Sequence, residues 1–286
     1  MDGTWLTWPR GLALVLAVAG GVALPMFALS QEVNPWRGYW RRSRMPPRFV
    51  EPDRATRAFS FCRVLYESVR DEDGGNGWDT DYPDADNNFM IRLSELTTTS
   101  IAEDPHGEPD HVVVRLTEDP LSEFPFLFMS DVGTVGFTDE EAARLREYLL
   151  RGGFLWVDDF WGPRAWQHWT EELGKVLSPA EYPIKDLQLD HPIFRGMFQV
   201  GQVPQIPSIQ FWRRHGGMTS ERGADSATPY FRGISDADGR LMVFMSYNTD
   251  IADGWEREGQ DQDFFHAFSI DAYAVGVNVL LYAMTH

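Results

Sequence analysis

Carboxylate and amide side chains follow three apolar segments of this sequence, at the points where strands of a sheet are predicted to end. The set is Asp131, Asp158, Asp159, Asn248 and Asp250. Such groups can act as general bases, as ligands of hard metal ions or as acceptors for sugar hydroxyls. Because ligands of an open parallel sheet gather beyond the carboxyl ends of its strands, we expect these side chains to share one rim.

The adjacent pair Asp158 and Asp159 ends the apolar run from Phe154 to Val157. Neighbouring side chains on an extended chain point to opposite faces, so at most one of the two carboxylates can face a pocket. The other is expected to cap a helix that starts at Pro163 or to bind backbone amides. The alternative is that both carboxylates only satisfy turn and helix-start amides, a common structural use of Asp.

A second acidic run offers several oxygen ligands within a few residues. It consists of Asp79, Asp81, Asp84 and Asp86, followed by Asn87 and Asn88. Calcium and magnesium prefer such donors, but the spacing lacks the central glycine and distal Glu of an EF-hand. We interpret the segment from Asp71 to Asn88 as an exposed acidic loop, with calcium or magnesium binding as the alternative. No other cofactor is predicted.

Histidine and cysteine give weaker signals. His191 precedes Pro192, which favours an extended or turn conformation; it is either a ligand or acid-base group or a hydrogen-bonded structural His. Cys62 is the single cysteine of the chain. It lies in a predicted strand as a buried inert thiol, and one thiol permits neither an internal disulfide nor a cysteine zinc site.

The elements that must position these groups are predicted to form a parallel α/β sheet. Thr138 and Glu141 form a capping box that starts a helix, and Gly152 or Gly153 ends it. That helix joins strands at 126–130 and 154–157, which is the length expected for a parallel crossover. The other predicted elements are strands at 59–69 and 111–116, a helix at 163–177, a hairpin of strands at 230–234 and 241–247, and a final helix at 270–284.

The composition fits one large domain with an aromatic core. The chain has 286 residues, including eleven Trp and nineteen Phe, and some of the Trp are candidates for stacking on sugars in a groove. Its formal charge is −18, and because residues 31–57 hold seven Arg against three acids, the remainder from Ala58 carries about −22. Such a domain repels phosphates, so nucleic acid is not expected as a partner.

The first 57 residues are predicted to lie outside the folded domain. Residues 1–30 are interpreted as a signal peptide cleaved after Ser30, or alternatively as a membrane anchor formed by the apolar residues 11–29. Residues 31–57 form a basic Pro/Arg linker, whose arginines oppose export by the positive-inside rule, and residues 58–286 form a single α/β domain. We predict a periplasmic or extracytoplasmic protein, soluble after cleavage or contacting the membrane through the uncleaved segment.

Several segments of the sequence carry a recognisable pattern. They are Gly77-Trp78-x-Thr80-Asp81-Tyr82-Pro83, Arg92-Leu93-Ser94-Glu95-Leu96-Thr97, Leu149-Leu150-Arg151-Gly152-Gly153-Phe154-Leu155-x-Val157-Asp158-Asp159, Asp190-His191-Pro192-Ile193-Phe194 and Tyr282-Ala283-Met284-Thr285-His286. In this order they resemble the bacterial domain of unknown function 4159 family, over nearly everything after Ala58. The resemblance implies a glutamine amidotransferase-like (flavodoxin-like) three-layer sandwich, in which helices flank a mostly parallel sheet, with an added β-hairpin here. It also implies an exported or membrane-associated protein without established activity.

The resemblance adds one comparison with true class I glutamine amidotransferases. There the strand after the Gly-Gly crossover ends in a nucleophilic Cys, whereas here it ends in Asp158 and Asp159. Cys62 belongs to a different strand, so thiol-dependent glutamine hydrolysis is not expected.

Two functions follow from these features. The first is non-catalytic ligand binding or assembly in the cell envelope, with a carbohydrate-like molecule or an envelope protein as partner. The second is a metal-assisted or carboxylate-based hydrolase at the carboxyl edge of the sheet, with Asp158 or Asp159 as base and His191 or a loop-bound metal assisting. Convergence of these groups with Asp79, Asp81 or Asp250 favours the enzyme, and scattered carboxylates favour binding.

Overall fold

A mixed seven-stranded sheet runs through the computed structural model, which describes residues 46–50, 58–72 and 74–286. The strands are β1 (Cys62–Val64), β2 (Glu67–Ser68), β3 (Val112–Val114), β4 (Phe126–Ser130), β5 (Val135–Gly136), β6 (Phe154–Phe160), β7 (Lys185–Asp186), β8 (Tyr230–Ser235) and β9 (Leu241–Tyr247). The main sheet has the order β3-β1-β4-β6-β9-β8-β7. Its first five strands are parallel, β8 pairs antiparallel with β9, and β7 pairs antiparallel with β8. The predicted α/β class with a mostly parallel sheet is therefore confirmed.

Helices connect these strands. They are α1 (Asp84–Leu96), α2 (Asp139–Leu150), α3 (Gly162–Val176), α4 (Ile209–Arg214), α5 (Ile251–Glu256), α6 (Gln262–Phe264) and α7 (Ile270–Thr285). A π-helical turn, Phe265–Ser269, joins α6 to α7. The capping box of α2 is formed as expected, since Thr138 Oγ1 accepts from the Glu141 N–H at 3.2 Å and Glu141 Oε2 accepts from the Thr138 N–H at 2.9 Å.

Both faces of the sheet are covered because its central strands are apolar on both sides. Side chains alternate along β6, so that Leu155 and Val157 join a cluster with α2 and α3. Phe154 and Trp156 join a second cluster with α1, α5 and α7. No tryptophan of the described residues is exposed, and Trp78, Trp156, Trp169 and Trp255 lie in the core.

The interpretation of residues 71–88 as an exposed loop is wrong. Helix α1 begins at Asp84, and both Trp78 and Thr80 are buried. The reason is Arg63 of β1, which is fully buried: its Nη1 donates to the carbonyls of Trp78 at 3.2 Å and Thr80 at 2.9 Å. Its Nη2 donates to Asp86 Oδ1 at 2.6 Å. A buried guanidinium needs these acceptors, and it draws the acidic segment against the sheet.

The predicted first strand is also shorter than residues 59–69, because regular parallel pairing with β3 covers only Cys62 to Val64. Cys62 is fully buried there. The predicted signal peptide or anchor at residues 1–30 and most of the linker at residues 31–57 lie outside the described residues. Within that linker, Phe49 forms a parallel bridge with Val113 of β3.

One helical stretch among the described residues, Gln262–Thr285, is long and apolar enough to cross a membrane. Its side chains Val275, Val277 and Leu280 are buried in the cluster that covers the second face of the sheet. A core helix meets the same length and hydropathy criteria, so this stretch is weak support for a membrane span.

Candidate functional site

A cavity of about 950 Å³ lies at the carboxyl edge of the parallel strands. The turn before α1, the ends of β4 and β6, helix α5 and helix α4 all contribute to its lining. Acidic side chains dominate this lining; those used below are Asp81, Asp131, Asp159, Asp250, Asp253 and Glu256. Three parallel strands thus deliver carboxylates to one place.

The backbone turns sharply where these carboxylates lie. Asp131, Asp159 and Asn248 follow or end β4, β6 and β9 and have φ values of 50°, 54° and 60°. Asp81, in the turn before α1, has a φ of 64°. Among residues with side chains, Asp and Asn tolerate this left-handed conformation best, which explains the residue types at the strand ends.

The adjacent carboxylates of β6 have different surroundings. Asp158 is fully buried, and its Oδ1 accepts from Ser246 Oγ at 2.5 Å while its Oδ2 accepts from the Ala252 N–H at 2.9 Å. Asp159 lines the cavity, and its Oδ1 accepts from Trp161 Nε1 at 2.9 Å. As expected, one carboxylate binds backbone, but the helix that it caps is α5 and not the helix near Pro163.

Asp81 is held at the cavity by the contacts of Arg63 with the turn that precedes it. Arg63 binds the carbonyls of Trp78 and Thr80 and so ties this turn to β1. The Asp81 side chain is partly buried, and its Oδ2 is buried without any hydrogen-bond donor among the described residues. A buried carboxylate oxygen without a donor is costly unless a ligand supplies the missing charge.

Helix α5 presents three acids at intervals of three residues: Asp250, Asp253 and Glu256. Asp250 is the N-cap, and its Oδ1 accepts from the Asp253 N–H at 2.8 Å. Asp253 Oδ2 accepts from the Ile209 N–H at 3.0 Å. These bonds fix both carboxylates in place at the start of the helix.

The acids form two groups that share Asp81. One group is Asp81, Asp159 and Asp250, and the other is Asp81, Asp253 and Glu256; within each, the ligand atoms lie within 4.8 Å of one another. Two oxygens that bind one calcium ion at roughly 2.3–2.6 Å are at most about 5 Å apart. Both groups therefore have the dimensions of a site for a hard divalent cation.

Burial is the main cause of the raised pKa values of these carboxyls. It raises the pKa of Asp81, Asp159 and Asp250 well above the ordinary value, and the neighbouring carboxylates raise it further. Burial also raises the pKa of Asp253 to about 8, with the charge of Glu256 as the next cause. At neutral pH several of these carboxyls therefore hold protons that a bound cation would displace.

The family model described as "Domain of unknown function (DUF4159)" matches residues 60–284. The chain belongs to this family. The resemblance carried by the sequence motifs is thereby confirmed, and the match includes every residue of the cavity named above. No curated protein matches the chain.

The DUF4159 domain brings some of the predicted rim residues together and separates others. Asp131, Asp159 and Asp250 line the cavity, and Asp131 Oδ2 accepts from the Gly77 N–H at 2.7 Å. Asn248 instead supports the backbone: its Oδ1 accepts from the Gly162 N–H at 2.8 Å and its Nδ2 donates to the Thr228 carbonyl at 2.8 Å. Asp158 lies beneath the cavity in the network of Ser246.

His191 lies elsewhere. Its Nδ1 accepts from the Ile193 N–H at 3.2 Å, and its ring packs 5.9 Å from the ring of Tyr282. The Tyr282 hydroxyl accepts from the N–H of Leu241, the first residue of β9, which places His191 towards the amino end of that strand. The approach of His191 to Asp158 or Asp159 that would favour the hydrolase is therefore not formed, because the Asp190–Phe194 segment packs near the opposite edge of the sheet.

The acidic run before α1 is divided in the same way. Asp79, Asp81 and Asp84 line the cavity, whereas Asp86 is bound by Arg63 and is fully buried. Of these four acids only Asp81 belongs to either convergent group. The acids that converge with Asp81 are not its neighbours in sequence. They come from β6 and from the start and body of α5, so a run of adjacent acids could not predict the groups.

Sequence reasoning missed Asp253 and Glu256. The signal was present, because acids three residues apart lie on one side of a helix. Residues 251–256 were not predicted to be helical, so the spacing of these acids was not recognised as placing them on one helix face.

Proposed function

We propose that this DUF4159 domain is an exported ligand-binding domain that binds a divalent cation, magnesium or calcium, at Asp81, Asp159 and Asp250. The observation that carries the proposal is the convergence of three carboxylates from separate segments at one cavity. Hard divalent cations prefer such oxygen ligands. The bound cation in turn holds oxygen atoms of a ligand in the cavity.

The protonation state of the cluster supports a cation. Its carboxyls are buried side by side: burial raises the pKa of Asp159 and Asp250, and the charges of nearby carboxylates, Asp131 for Asp159 and Asp159 for Asp250, raise it further. A cation would remove this repulsion and supply the charge that Asp81 Oδ2 lacks.

The remaining lining of the cavity favours a polar ligand. Ser208, Gln210, Arg214 and His215 contribute hydrogen-bonding or charged groups, and Phe211 contributes a partly buried ring. The cavity volume is within the range of about 300–1,000 Å³ found for small-molecule sites. A carbohydrate-like molecule, which offers many oxygens for a cation and for these donors, is the ligand that we propose.

The cellular setting of the proposal comes from the sequence. The segment at residues 11–29 supports export, with the cavity on the extracytoplasmic side and an envelope carbohydrate or protein as partner. The glutamine amidotransferase-like assignment of the sandwich is likewise a proposal, supported by the parallel crossover from β4 through α2 to β6 and by the motif resemblance.

Calorimetric titration of the full chain with Mg²⁺ and with Ca²⁺ tests the cation site. We expect saturable binding, and we expect Asp250→Asn to weaken it at least tenfold because a buried charged ligand is lost. Asp84→Asn is the matched control: Asp84 lines the same cavity, is exposed and belongs to neither group. Absence of binding of both cations to the wild-type chain contradicts the proposal.

Thermal-shift measurements with D-glucuronate and D-glucose test the ligand class. We expect stabilisation by a sugar only when the cation is present, and loss of this stabilisation in Asp250→Asn. Equal stabilisation with and without cation would show that the cation has no part in ligand binding.

A metal-assisted hydrolase is the second candidate, and Asp131 favours it. This carboxylate lines the cavity but belongs to neither cation group, and burial raises its pKa to about 8, so it holds a proton near neutral pH. Such a group can serve as general acid. Cation-dependent hydrolysis of 4-nitrophenyl glycosides that is lost in Asp131→Asn, with cation affinity retained, would support catalysis; cation binding without hydrolysis would leave the binding function alone.

A further inference from the structure

We infer that the site binds two divalent cations and that the Asp81 carboxylate bridges them. The inference rests on the proposed cation-binding function and extends it from one ion to a pair. The first ion lies among Asp81, Asp159 and Asp250. The second lies among Asp81, Asp253 and Glu256.

The shared residue is the geometric reason. Both groups place their ligand atoms within 4.8 Å of one another, and Asp81 is their common member. A carboxylate has two oxygens and can bind one ion through each. Two-metal sites in proteins hold their ions about 3.5–4 Å apart, a separation that one bridging carboxylate spans.

Unsatisfied oxygens inside the cluster are an independent sign of ligands. Asp81 Oδ2 is buried and accepts no hydrogen bond within the described part of the chain. Asp250 is only 3% exposed, and within the same residues the Asp253 N–H is the one donor that its carboxylate has. Buried carboxylates ordinarily receive two or more donors, so both acids have capacity for a metal ion.

The charges balance for two ions. The two groups contain five carboxylates, and among the described residues Arg257 is the one cation paired with them, with its Nε 3.5 Å from Asp253 Oδ1 and 2.5 Å from Glu256 Oε2. When all five are ionised, the net charge is −4, which two divalent cations neutralise. A single divalent cation would require two of the five carboxyls to keep their protons, whereas two ions balance the fully ionised cluster without leaving uncompensated buried charge.

Arg257 does not replace the second ion. Neither its Nε nor Glu256 Oε2 forms a hydrogen bond in the described part of the chain, although the two atoms are close. The guanidinium therefore forms a 2.5 Å ion pair with Glu256 Oε2 but not a hydrogen bond of regular geometry. The second ion therefore requires the partly buried Arg257 to move away from Glu256 and Asp253 when the ion binds.

Manganese tests the inference, because Mn²⁺ binds the oxygen ligands that suit Mg²⁺ and is visible by electron paramagnetic resonance. Equilibrium dialysis of the full chain should give two Mn²⁺ per chain, and the spectrum of the bound ions should show exchange coupling between them. Glu256→Gln should retain one Mn²⁺ with an uncoupled six-line spectrum, and Asp250→Asn should do the same at the other position. Asp81→Asn should lose both, and Asp84→Asn should keep the coupled pair.

The outcomes separate this inference from the function on which it rests. If the wild-type chain and Glu256→Gln each bind one Mn²⁺, the two-ion inference is wrong but the cation site of the proposed function stands. Two ions without coupling overturn the bridge. No bound Mn²⁺ overturns both the pair and the proposed function. Thermal unfolding of each variant shows whether it is folded, and the amide variants imitate the protonated carboxyls in shape and charge.

Discussion

Asp158 and Ser246 lie on the neighbouring strands β6 and β9, and Ser246 Oγ donates to Asp158 Oδ1 at 2.5 Å. Trp156 Nε1 donates to the same Ser246 Oγ at 2.7 Å, and Asp158 Oδ2 accepts from the Ala252 N–H at 2.9 Å. The three side chains are fully buried. This network fixes α5 to the end of β6, and α5 carries the acids of the second cation group.

Asp158 and Asp159 should respond to substitution in opposite ways. Asp158→Ala leaves the Ser246 hydroxyl and the Ala252 N–H without their buried acceptor, which should lower the free energy of unfolding by about 1–3 kcal/mol. Asp159→Asn should leave stability without cation unchanged or raised, since one repelling acid is removed, and should abolish binding of the ion among Asp81, Asp159 and Asp250. Urea unfolding and calorimetric titration measure the two effects. Equal loss of stability in both variants would contradict this division of roles.

Arg63 should control cation affinity without touching the cation. Arg63→Met leaves Asp86 as a buried unpaired charge and should destabilise the domain by about 3–5 kcal/mol. It also frees the carbonyls of Trp78 and Thr80, so the turn that carries Asp81 loses its anchor and cation affinity should fall. Arg151→Gln is the control, because its pair with Glu147 is exposed and should contribute only about 0–1 kcal/mol. Unchanged cation affinity in a folded Arg63→Met chain would refute the anchoring role.

The domain without cations should become less stable as the pH rises from about 4 to about 8. Burial raises the pKa of Asp131 to about 8 from the ordinary value of 3.8, so between these values the folded chain binds a proton that the unfolded chain has released. Stability is then complete below the lower value and is lost as the pH passes through the higher one. Asp253, with a pKa raised to about 8, acts in the same direction.

Thermal unfolding in EDTA across this pH range measures the slope. Asp131→Asn should reduce it, because the amide has no proton to lose, and saturating Mg²⁺ should reduce it by stabilising the ionised cluster. A transition temperature that rises with pH in EDTA would contradict the assignment.

Asn248 should be a structural residue of the rim. Asn248→Ala loses the bonds to Gly162 and Thr228 and places a Cβ residue without a polar side chain at a φ of 60°. Asn248→Gly loses the same bonds but relieves the backbone, so it should be more stable than the alanine variant by about 1 kcal/mol. Chemical unfolding gives this difference, and cation titration should show the same affinity in both. A large loss of cation affinity in the glycine variant would make Asn248 part of the site.

Local signals in the sequence predicted most of the central helices and strands correctly. The capping box at Thr138, the crossover to β6, the start of α3 within one residue and the hairpin of β8 and β9 all depend on neighbouring residues, and each is formed. The rim at the strand ends followed from the parallel sheet. The order of strands and turns along the chain was therefore sufficient to predict that Asp131, Asp159 and Asp250 lie near one another.

Long-range contacts decided the rest. The segment before α1 has the composition of an exposed loop, and only the burial of Arg63 on β1 shows why it packs against the sheet. His191 is a plausible partner for Asp159 by residue type, but its position depends on packing against Tyr282 of α7. The two cation groups combine residues from the turn before α1, β6 and α5, which no local spacing reveals.

The left-handed backbone at Asp81, Asp131, Asp159 and Asn248 bears on how related sequences should be compared. At these positions the turn alone restricts substitution to Asp, Asn and Gly, so an invariant Asp there would reflect geometry as much as chemistry. Asp250 has a φ of −124°, where many residue types are allowed, although Ser, Thr and Asn would also cap α5. Glu256, at the end of α5, has neither constraint. Retention of an acid at Glu256 across relatives would therefore be the most informative sign that the cation cluster is under selection.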